Sequence, residues 1–326
     1  MITLITGGTG FVGSHLVDGF LRSGHQVRCL VRLRSRPGWL DDKAVELVEG
    51  DCTKPDSLIP ALRGVDLVVH AAGATWAARR SVYFKVNATG TRNLLRACAA
   101  EVPNLRRFLH ISSQAAAGPA PAGQVMREQD PPRPISPYGE SKLLAERHVA
   151  AYKELIPCVI LRPSTVYGPR DRNLLTYIRM VKRGFLIEFG REPRELSLCH
   201  VEDLVSGVLT AADRQVSSGS VYYLADAEPY AWSEVDRVLC VALGVDARRV
   251  IVPQSSFKAL ALAGQFCGLV SNRPVRINAL RAAELLAKRW VCDVTKARKE
   301  LGYASKKNLT QGLQQLIRWY EQQYWL

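Results

Sequence analysis

Ile2-Thr3-Leu4-Ile5-Thr6-Gly7-Gly8-Thr9-Gly10-Phe11-Val12-Gly13 opens the chain as a short apolar run that passes through a glycine-rich turn into a helical pattern. Gly7, Gly10 and Gly13 keep the spacing G-x-x-G-x-x-G, and Gly8, Gly10 and Gly13 also satisfy G-x-G-x-x-G. The early glycine allows a tight turn, Gly10 lets backbone approach a pyrophosphate, and Gly13 lets the helix pack against the strand. The helix start then offers unpaired N–H groups and a partial positive charge to that pyrophosphate. A glycine triplet alone is a weak signal, but at the first strand–helix junction it is specific. Gly7, Thr9, Gly10, Phe11, Val12 and Gly13 are therefore the candidate dinucleotide-holding residues.

The same rhythm continues outward from this loop. Apolar runs recur at 2–6, 26–31, 45–49, 67–71, 108–112 and 159–162, each partly β-branched and continuously apolar. Such runs suit strands buried on both faces of a parallel sheet. Helical patterns at 11–23, 86–100 and 138–154 alternate with them. The fold class expected is α/β, a doubly wound parallel sheet of the Rossmann type. Beyond Gly168-Pro169 the rhythm loosens into helical stretches at 173–183, 201–212, 232–243, 255–269 and 310–323 and one strand at 221–224. We expect a dinucleotide-binding domain over 1–170 and a substrate-binding lobe over 171–326, some of whose segments return to the first domain. A proline-rich loop is expected over 119–137.

The second strand ends in Arg32, followed by Arg34 and Arg36, and no acid occurs before Asp41. An acid at this point would grip a ribose 2′-hydroxyl, whereas a guanidinium suits a 2′-phosphate. NADP(H) is thus the favoured cofactor and NAD(H) the alternative; a merely solvated basic loop is the bland reading of the arginines. Tyr138-Gly139-Glu140-Ser141-Lys142 places a tyrosine and a lysine on one helical face. A free phenol titrates near pH 10, too high for a base at neutral pH, and a nearby ammonium lowers that barrier. Ser112-Ser113, at the end of the preceding strand, supply a hydroxyl donor for a substrate oxygen.

These motifs resemble the extended short-chain dehydrogenase/reductase superfamily. The resemblance covers essentially the whole chain, through Gly50-Asp51, His70-Ala71-Ala72-Gly73, Val86-Asn87-Ala88-Thr89-Gly90-Thr91, Leu161-Arg162-Pro163-Ser164-Thr165-Val166-Tyr167-Gly168-Pro169 and His200-Val201-Glu202-Asp203. It implies that Ser113 is the catalytic serine, Tyr138 the acid/base and Lys142 its modulator, the last two also touching cofactor. Asp51 would meet the adenine ring with Cys52 beside it, Ala71, Ala72 and Gly73 would line the dinucleotide, and Pro163 would border the nicotinamide. Asn87 would support the catalytic site, or simply tie helix to strand.

Two departures separate the chain from nucleotide-sugar epimerases and dehydratases. Ala117 stands in Ser112-Ser113-Gln114-Ala115-Ala116-Ala117-Gly118 where those often have tyrosine, and Leu196 stands where they commonly have a diphosphate-binding arginine. Arg194, two residues earlier, is a candidate substitute. The chain looks closer to the 3β-hydroxysteroid dehydrogenase and dihydroflavonol reductase branch, whose substrates are apolar alcohols and ketones. The expected function is hydride transfer between nicotinamide and a secondary alcohol or ketone. The alternatives are a nucleotide-sugar epimerase/dehydratase and a non-catalytic NADP-binding sensor or scaffold. A homodimer is common in the resembled family.

Composition narrows the setting. Against 30 Asp and Glu stand 44 Lys and Arg, a net charge of +14 that favours anionic ligands or surfaces. The positive residues are spread along the chain and no helix-turn-helix, zinc or RNP motif occurs, so no nucleic-acid partner is expected. The eight cysteines show no C-x-x-C and read as isolated buried thiols of a reducing compartment. The six histidines lack metal-ligand spacing, and His200 reads as a structural hydrogen-bonding residue. Met1-Ile2-Thr3-Leu4-Ile5-Thr6 shows no basic n-region or cleavage site, so no secretory leader and a cytoplasmic location are expected. The stretch 255–269 combines Phe257, Leu260, Leu262, Phe266 and Leu269 with one charge, Lys258, and Arg273, Arg276 and Arg281 follow. It reads either as a core helix with a solvated basic turn or as a patch making peripheral contact with the inner face of a membrane.

Overall fold

A computed structural model describes residues 1–33, 38–190, 192–271, 275 and 277–326. The first half runs β1 (Ile2–Thr6), α1 (Phe11–Arg22), β2 (Gln26–Val31), β3 (Val45–Glu49), α2 (Ile59–Leu62) and β4 (Leu67–His70). It continues through α3 (Arg80–Tyr83), α4 (Gly90–Glu101), β5 (Arg107–Ile111), α5 (Pro137–Ala151) and β6 (Cys158–Pro163). The second half begins with β7 (Thr165–Tyr167), α6 (Asn173–Lys182), β8 (Phe185–Phe189), β9 (Glu195–Leu196), β10 (Leu198–His200) and α7 (Val201–Asp213). Then come β11 (Ser220–Leu224), β12 (Tyr230–Ala231), α8 (Trp232–Leu243), β13 (Arg248–Val252) and α9 (Gln254–Ser271). The chain ends with α10 (Ala279–Leu286), β14 (Arg289–Trp290) and α11 (Leu309–Gln322).

Seven parallel strands form the main sheet in the order β11-β6-β5-β4-β1-β2-β3, the doubly wound architecture expected. The order reverses between β1 and β4, which pair Thr6 with His70. A crevice opens at the carboxyl ends of strands where the order reverses, and this is where such sheets bind ligands. The sequence therefore delivers Gly7 and Ala71 to opposite sides of one opening. Helices α1 and α7 cover one face through Leu16, Phe20, Leu204 and Val208, and α2, α4 and α5 cover the other through Leu62, Leu94, Leu95 and Val149. Residues beyond 170 thus contribute α7 and β11 to this layer. A separate apolar cluster, with Tyr167, Ile178, Leu239, Leu316 and Tyr320, holds α6, α8 and α11 together.

The structure corrects several local expectations. The strand at 45–49 forms, but as the sheet edge with Leu47 exposed, so it is not buried on both faces. The helical pattern 86–100 is a π-turn over Phe84–Thr89 followed by α4. The short strands β7, β8, β9, β10, β12, β13 and β14 had no expectation at all; most are too brief to carry a period. Of the cysteines, Cys267 is exposed and Cys240 half-buried, whereas the other six are buried.

In α9 Phe257, Ala261 and Gly268 turn inward, whereas Leu260, Leu262, Phe266 and Leu269 are exposed, which rules out a plain core helix. Arg273 and Arg276 lie outside the described residues, as do Arg34 and Arg36. Arg281 is not part of a basic surface: its side chain is 17% exposed and paired with Glu284. Among the described residues no helix is long and apolar enough to cross a membrane.

Candidate active site

The glycine loop is shaped by close approach. Gly7 adopts φ +77°, and a Cβ there would lie 2.7 Å from the backbone nitrogen of Ala72. A Cβ on Gly13 would sit 2.0 Å from the Gly7 carbonyl oxygen. The Gly10 N–H donates to that same carbonyl at 3.0 Å, closing the turn. No side chain caps α1, so its first N–H groups keep their hydrogen-bonding capacity for a ligand. These contacts leave a backbone-walled cradle that larger residues would fill.

The cradle is one limb of a cleft of about 1650 Å³. Gly7, Thr9, Gly10, Phe11, Val12, Gly13, Arg32, Asp51, Cys52, Ala71, Ala72, Gly73, Ser113, Tyr138, Lys142 and Pro163 all line it. Arg32 is exposed at the end of β2. Asp51 accepts from the Thr53 N–H at 2.8 Å, which turns its loop toward the cleft floor. Cys52 is buried, and burial pushes its thiol up to about 12. It is therefore a packing group and not a nucleophile. The other limb is formed by the second half, with Tyr177, Met180, Phe189, Trp232, Leu285 and Trp290 among its walls.

Tyr138, Ser113 and Lys142 stand where the limbs meet. Ser136 caps α5 by accepting from the Gly139 N–H at 3.0 Å, with Pro137 at the first helical position. This start presents Tyr138 in the first turn and Lys142 one turn later. Gly139 allows the helix to press on the turn carrying Ser113, because a Cβ there would lie 2.3 Å from the Ala115 carbonyl oxygen. Burial pushes the Tyr138 phenol above the ordinary tyrosine value, while the Arg281 guanidinium and the Ser113 hydroxyl hold it back. The Lys142 Nζ donates to the Ile111 carbonyl at 2.6 Å. Burial brings its ammonium down to about 8 against the opposing pull of Glu146.

The two adjacent serines separate. Ser112 Oγ donates to Glu146, deep in the core, whereas Ser113 Oγ accepts from the Ala115 N–H at 3.2 Å and stays beside Tyr138. Glu146 also receives a bidentate pair from Arg162 of β6, at 2.9 and 2.7 Å, which anchors α5 to the sheet. Asn87 does not line the cleft. Its Nδ2 donates to the Ala74 carbonyl at 3.1 Å and the Ser141 hydroxyl at 2.9 Å, and its Oδ1 accepts from the Ala74 N–H. It ties the loop after β4 to α5. His200 accepts from the Glu202 N–H and caps α7.

Some wall residues were not anticipated. Trp76, Arg281 and Glu284 of the wall, with Tyr83 behind them, gather around Tyr138 from two segments, 76–83 and α10. No spacing in the sequence joins either segment to Tyr138, and the reading of Arg281 as part of a basic turn failed for that reason. Arg194 donates to the carbonyls of Leu285 and Phe189, so those donors are committed to backbone and are not held free for a diphosphate.

Comparison with known proteins adds a family. Residues 3–225 match the NAD dependent epimerase/dehydratase family. The 4-hydroxy-2-methyl-3-oxo-4-farnesyl-3,4-dihydroquinoline-1-oxide ketoreductase of Stigmatella aurantiaca is 31% identical, covering 97% of this chain and 96% of its own. The 3β-hydroxysteroid dehydrogenase/Δ5→4-isomerase of Mycobacterium tuberculosis is 28% identical, covering 97% of this chain and 90% of its own. Among solved structures, UDP-glucuronic acid 4-epimerase from Bacillus cereus in complex with NAD shares the fold with a TM-score of 0.79 at 24% identity, covering 99% of this chain and 100% of that one.

Proposed function

The chain belongs to the NAD dependent epimerase/dehydratase family, within the extended short-chain dehydrogenase/reductase superfamily, and we propose that it is an NADP(H)-dependent oxidoreductase acting on the ketone or secondary alcohol of an apolar molecule. The observation that carries this reading is the junction: Tyr138, Ser113 and Lys142 lie between a glycine-walled cradle and a limb lined by Trp232, Trp290, Phe189 and Met180.

The cradle fits a dinucleotide on its own geometry, since Cβ atoms on Gly7 or Gly13 would collide with its walls. Gly10, Phe11 and Val12 would hold the pyrophosphate, Asp51 the adenine side, Arg32 a 2′-phosphate, and Pro163 and Lys142 the nicotinamide riboside. When bound, the nicotinamide supplies or accepts hydride at the carbinol carbon. Tyr138 holds a proton at its hydroxyl, gives it to the ketone oxygen in reduction and recovers it from the alcohol in oxidation. Ser113 donates a hydrogen bond to the same oxygen and keeps it facing the phenol. The Lys142 ammonium favours the phenolate form that oxidation requires.

Three observations support an apolar substrate over a nucleotide sugar: the aromatic wall, Leu196 in place of an arginine, and the commitment of Arg194 to backbone carbonyls. The names of the Stigmatella and Mycobacterium relatives, which describe a farnesylated quinoline and a steroid, point the same way. Epimerisation of a nucleotide sugar is the second reading, favoured by the fold shared with the Bacillus enzyme. The exposed face of α9 suits delivery of an apolar substrate from a bilayer surface. That helix adjoins the cleft, since Phe257 packs on Phe189 and Gln265 donates to the Ala78 carbonyl. Flotation of the protein with anionic and neutral vesicles tests this, and absence of binding at low salt removes it.

The central experiment measures NADPH oxidation with a panel of steroid, terpenoid and flavonoid ketones beside UDP-glucose epimerisation, in wild type and Tyr138→Phe. Reduction of an apolar ketone that vanishes in Tyr138→Phe is the expected result. Epimerisation of UDP-glucose without any ketone reduction would overturn the proposal.

A further inference from the structure

Arg281 reaches Tyr138 from the far side of the cleft. It lies in the first turn of α10, a helix of the second half, whereas Tyr138 lies in the first turn of α5. The Arg281 guanidinium carbon is 4.4 Å from the centroid of the Tyr138 ring and 4.9 Å from that of Trp76. Its Nη1 donates to the Thr75 carbonyl at 2.6 Å, and its Nη2 meets Glu284 at 2.5 Å. Glu284 in turn accepts from the hydroxyl of Ser136, the residue that caps α5. One ion pair therefore touches both the face of the phenol and the cap of the helix that presents it.

We propose that the Arg281–Glu284 pair is a positioning device that sets the proton affinity of Tyr138, the cation favouring phenolate and the carboxylate restraining it. The inference rests on the reading of Tyr138 as the acid/base. A guanidinium within about 6 Å of an aromatic face is attracted to its π-electrons, more strongly when water is excluded. Phenolate carries additional negative charge into the ring, so the same cation stabilises the ionised form more than the neutral one. Glu284, at the end of the same ion pair, offsets part of that field.

The other charged or titratable neighbours do not duplicate this arrangement. On α5, Lys142 donates to the Ile111 carbonyl. From the turn after β5 comes Ser113, and from α3 comes Tyr83, whose ring centroid lies 6.0 Å from that of Tyr138. Arg80 and Glu140 pair with each other at the α3–α5 surface. Arg281 is the cation stacked on the Tyr138 ring among the described residues.

The test uses full-length protein with NADP+ added and tyrosine labelled with 13C at Cζ. The Tyr138 resonance is assigned by its loss in Tyr138→Phe, and its titration midpoint is compared in wild type, Arg281→Met, Arg281→Lys and Glu284→Gln. Arg281→Met should raise the midpoint by about one pH unit. Arg281→Lys should fall between wild type and Arg281→Met. Glu284→Gln, which keeps a hydrogen-bonding partner for Ser136, should lower the midpoint.

A purely structural role would move the two ends of the pair in the same direction. Midpoints shifting together, remaining unchanged, or staying beyond about pH 11 in both wild type and Glu284→Gln would overturn the proposal. Should Arg281→Met fail to fold, Arg281→Lys and Glu284→Gln still have to move in opposite directions. Turnover in Tyr138→Phe is read separately, so loss of the coupling leaves the acid/base assignment standing, and loss of that assignment does not alter the midpoints.

Discussion

At the scale of single residues, the proposed preference for NADP(H) rests on Arg32. A hydrogen bond to a charged group contributes about 1.5–3 kcal/mol, or roughly 10- to 100-fold in affinity. Arg32→Asp should therefore reverse a preference for NADPH over NADH by that order, read by fluorescence titration of both cofactors; equal wild-type affinities would sink the assignment. Tyr138→Phe removes only a hydroxyl and should reduce turnover by about 10²–10⁴-fold with NADPH affinity nearly intact. Lys142→Met should damage both quantities, because in the proposed complex the lysine also holds the nicotinamide riboside. Tyr138 and Lys142 were legible because four residues bring two side chains to one helical face. Spacing left the two neighbouring serines open and the family resemblance chose Ser113; the bond from Ser112 to the buried Glu146 turns the other hydroxyl away.

At the scale of elements, α5 is held by two different contacts, and each gives its own prediction. The Arg162–Glu146 pair is buried, with both side chains about 5% exposed. Glu146→Ala leaves an unpaired guanidinium and should cost about 3–5 kcal/mol, whereas replacing both partners by Met and Leu should cost far less. Urea denaturation of the single and double variants checks the difference. Gly139→Ala puts a methyl against the Ala115 carbonyl and lifts α5 from the turn carrying Ser113. Turnover should fall at least about tenfold, stability by about 1–3 kcal/mol, and NADPH affinity little. Element types were readable where a period was long enough, as in the helix at 232–243. Strand β3 kept its place but not its burial, because an edge position is a property of the sheet and not of the pentapeptide. In α9, apolar composition foretold a helix, but its outward face depends on the absence of any described element packed over Leu260 and Phe266.

For the whole molecule, the junction of β11 with β10 should carry a pH dependence. Asp226 follows β11, its N–H donates to Leu198 of β10, and burial raises its carboxyl to about 7. Between about pH 4 and 7 the folded chain then binds more protons at this group than the unfolded chain does. Its contribution is most favourable below about pH 4, falls as pH rises from there through 7, and stays at its least favourable level above that. Asp226→Asn should melt higher than wild type at pH 8, and the gap should close toward pH 4. A gap independent of pH would show that Asp226 is not the titrating group.

Local spacing was enough for the architecture, the glycine loop and the Tyr138–Lys142 turn; Asp51, Cys52, Ala71, Ala72, Gly73 and Pro163 came from the family resemblance, and the walls of the second limb from neither. A glycine loop, a buried strand and a Y-x-x-x-K turn are each made by residues adjacent in the chain, and the right-handed crossover rule then brings successive strand ends to one side of a parallel sheet. Gly7, Ala71, Ser113 and Pro163 each lie at or just beyond the carboxyl end of a strand, so one topology collects them. The residues that surround the phenol required folding to be seen. Arg281 stacks on Tyr138 across a long sequence separation, and its partner Glu284 reaches Ser136 only because α10 docks on α5. Such contacts depend on how one element packs against another, and packing complementarity between remote surfaces leaves no periodic trace in either segment.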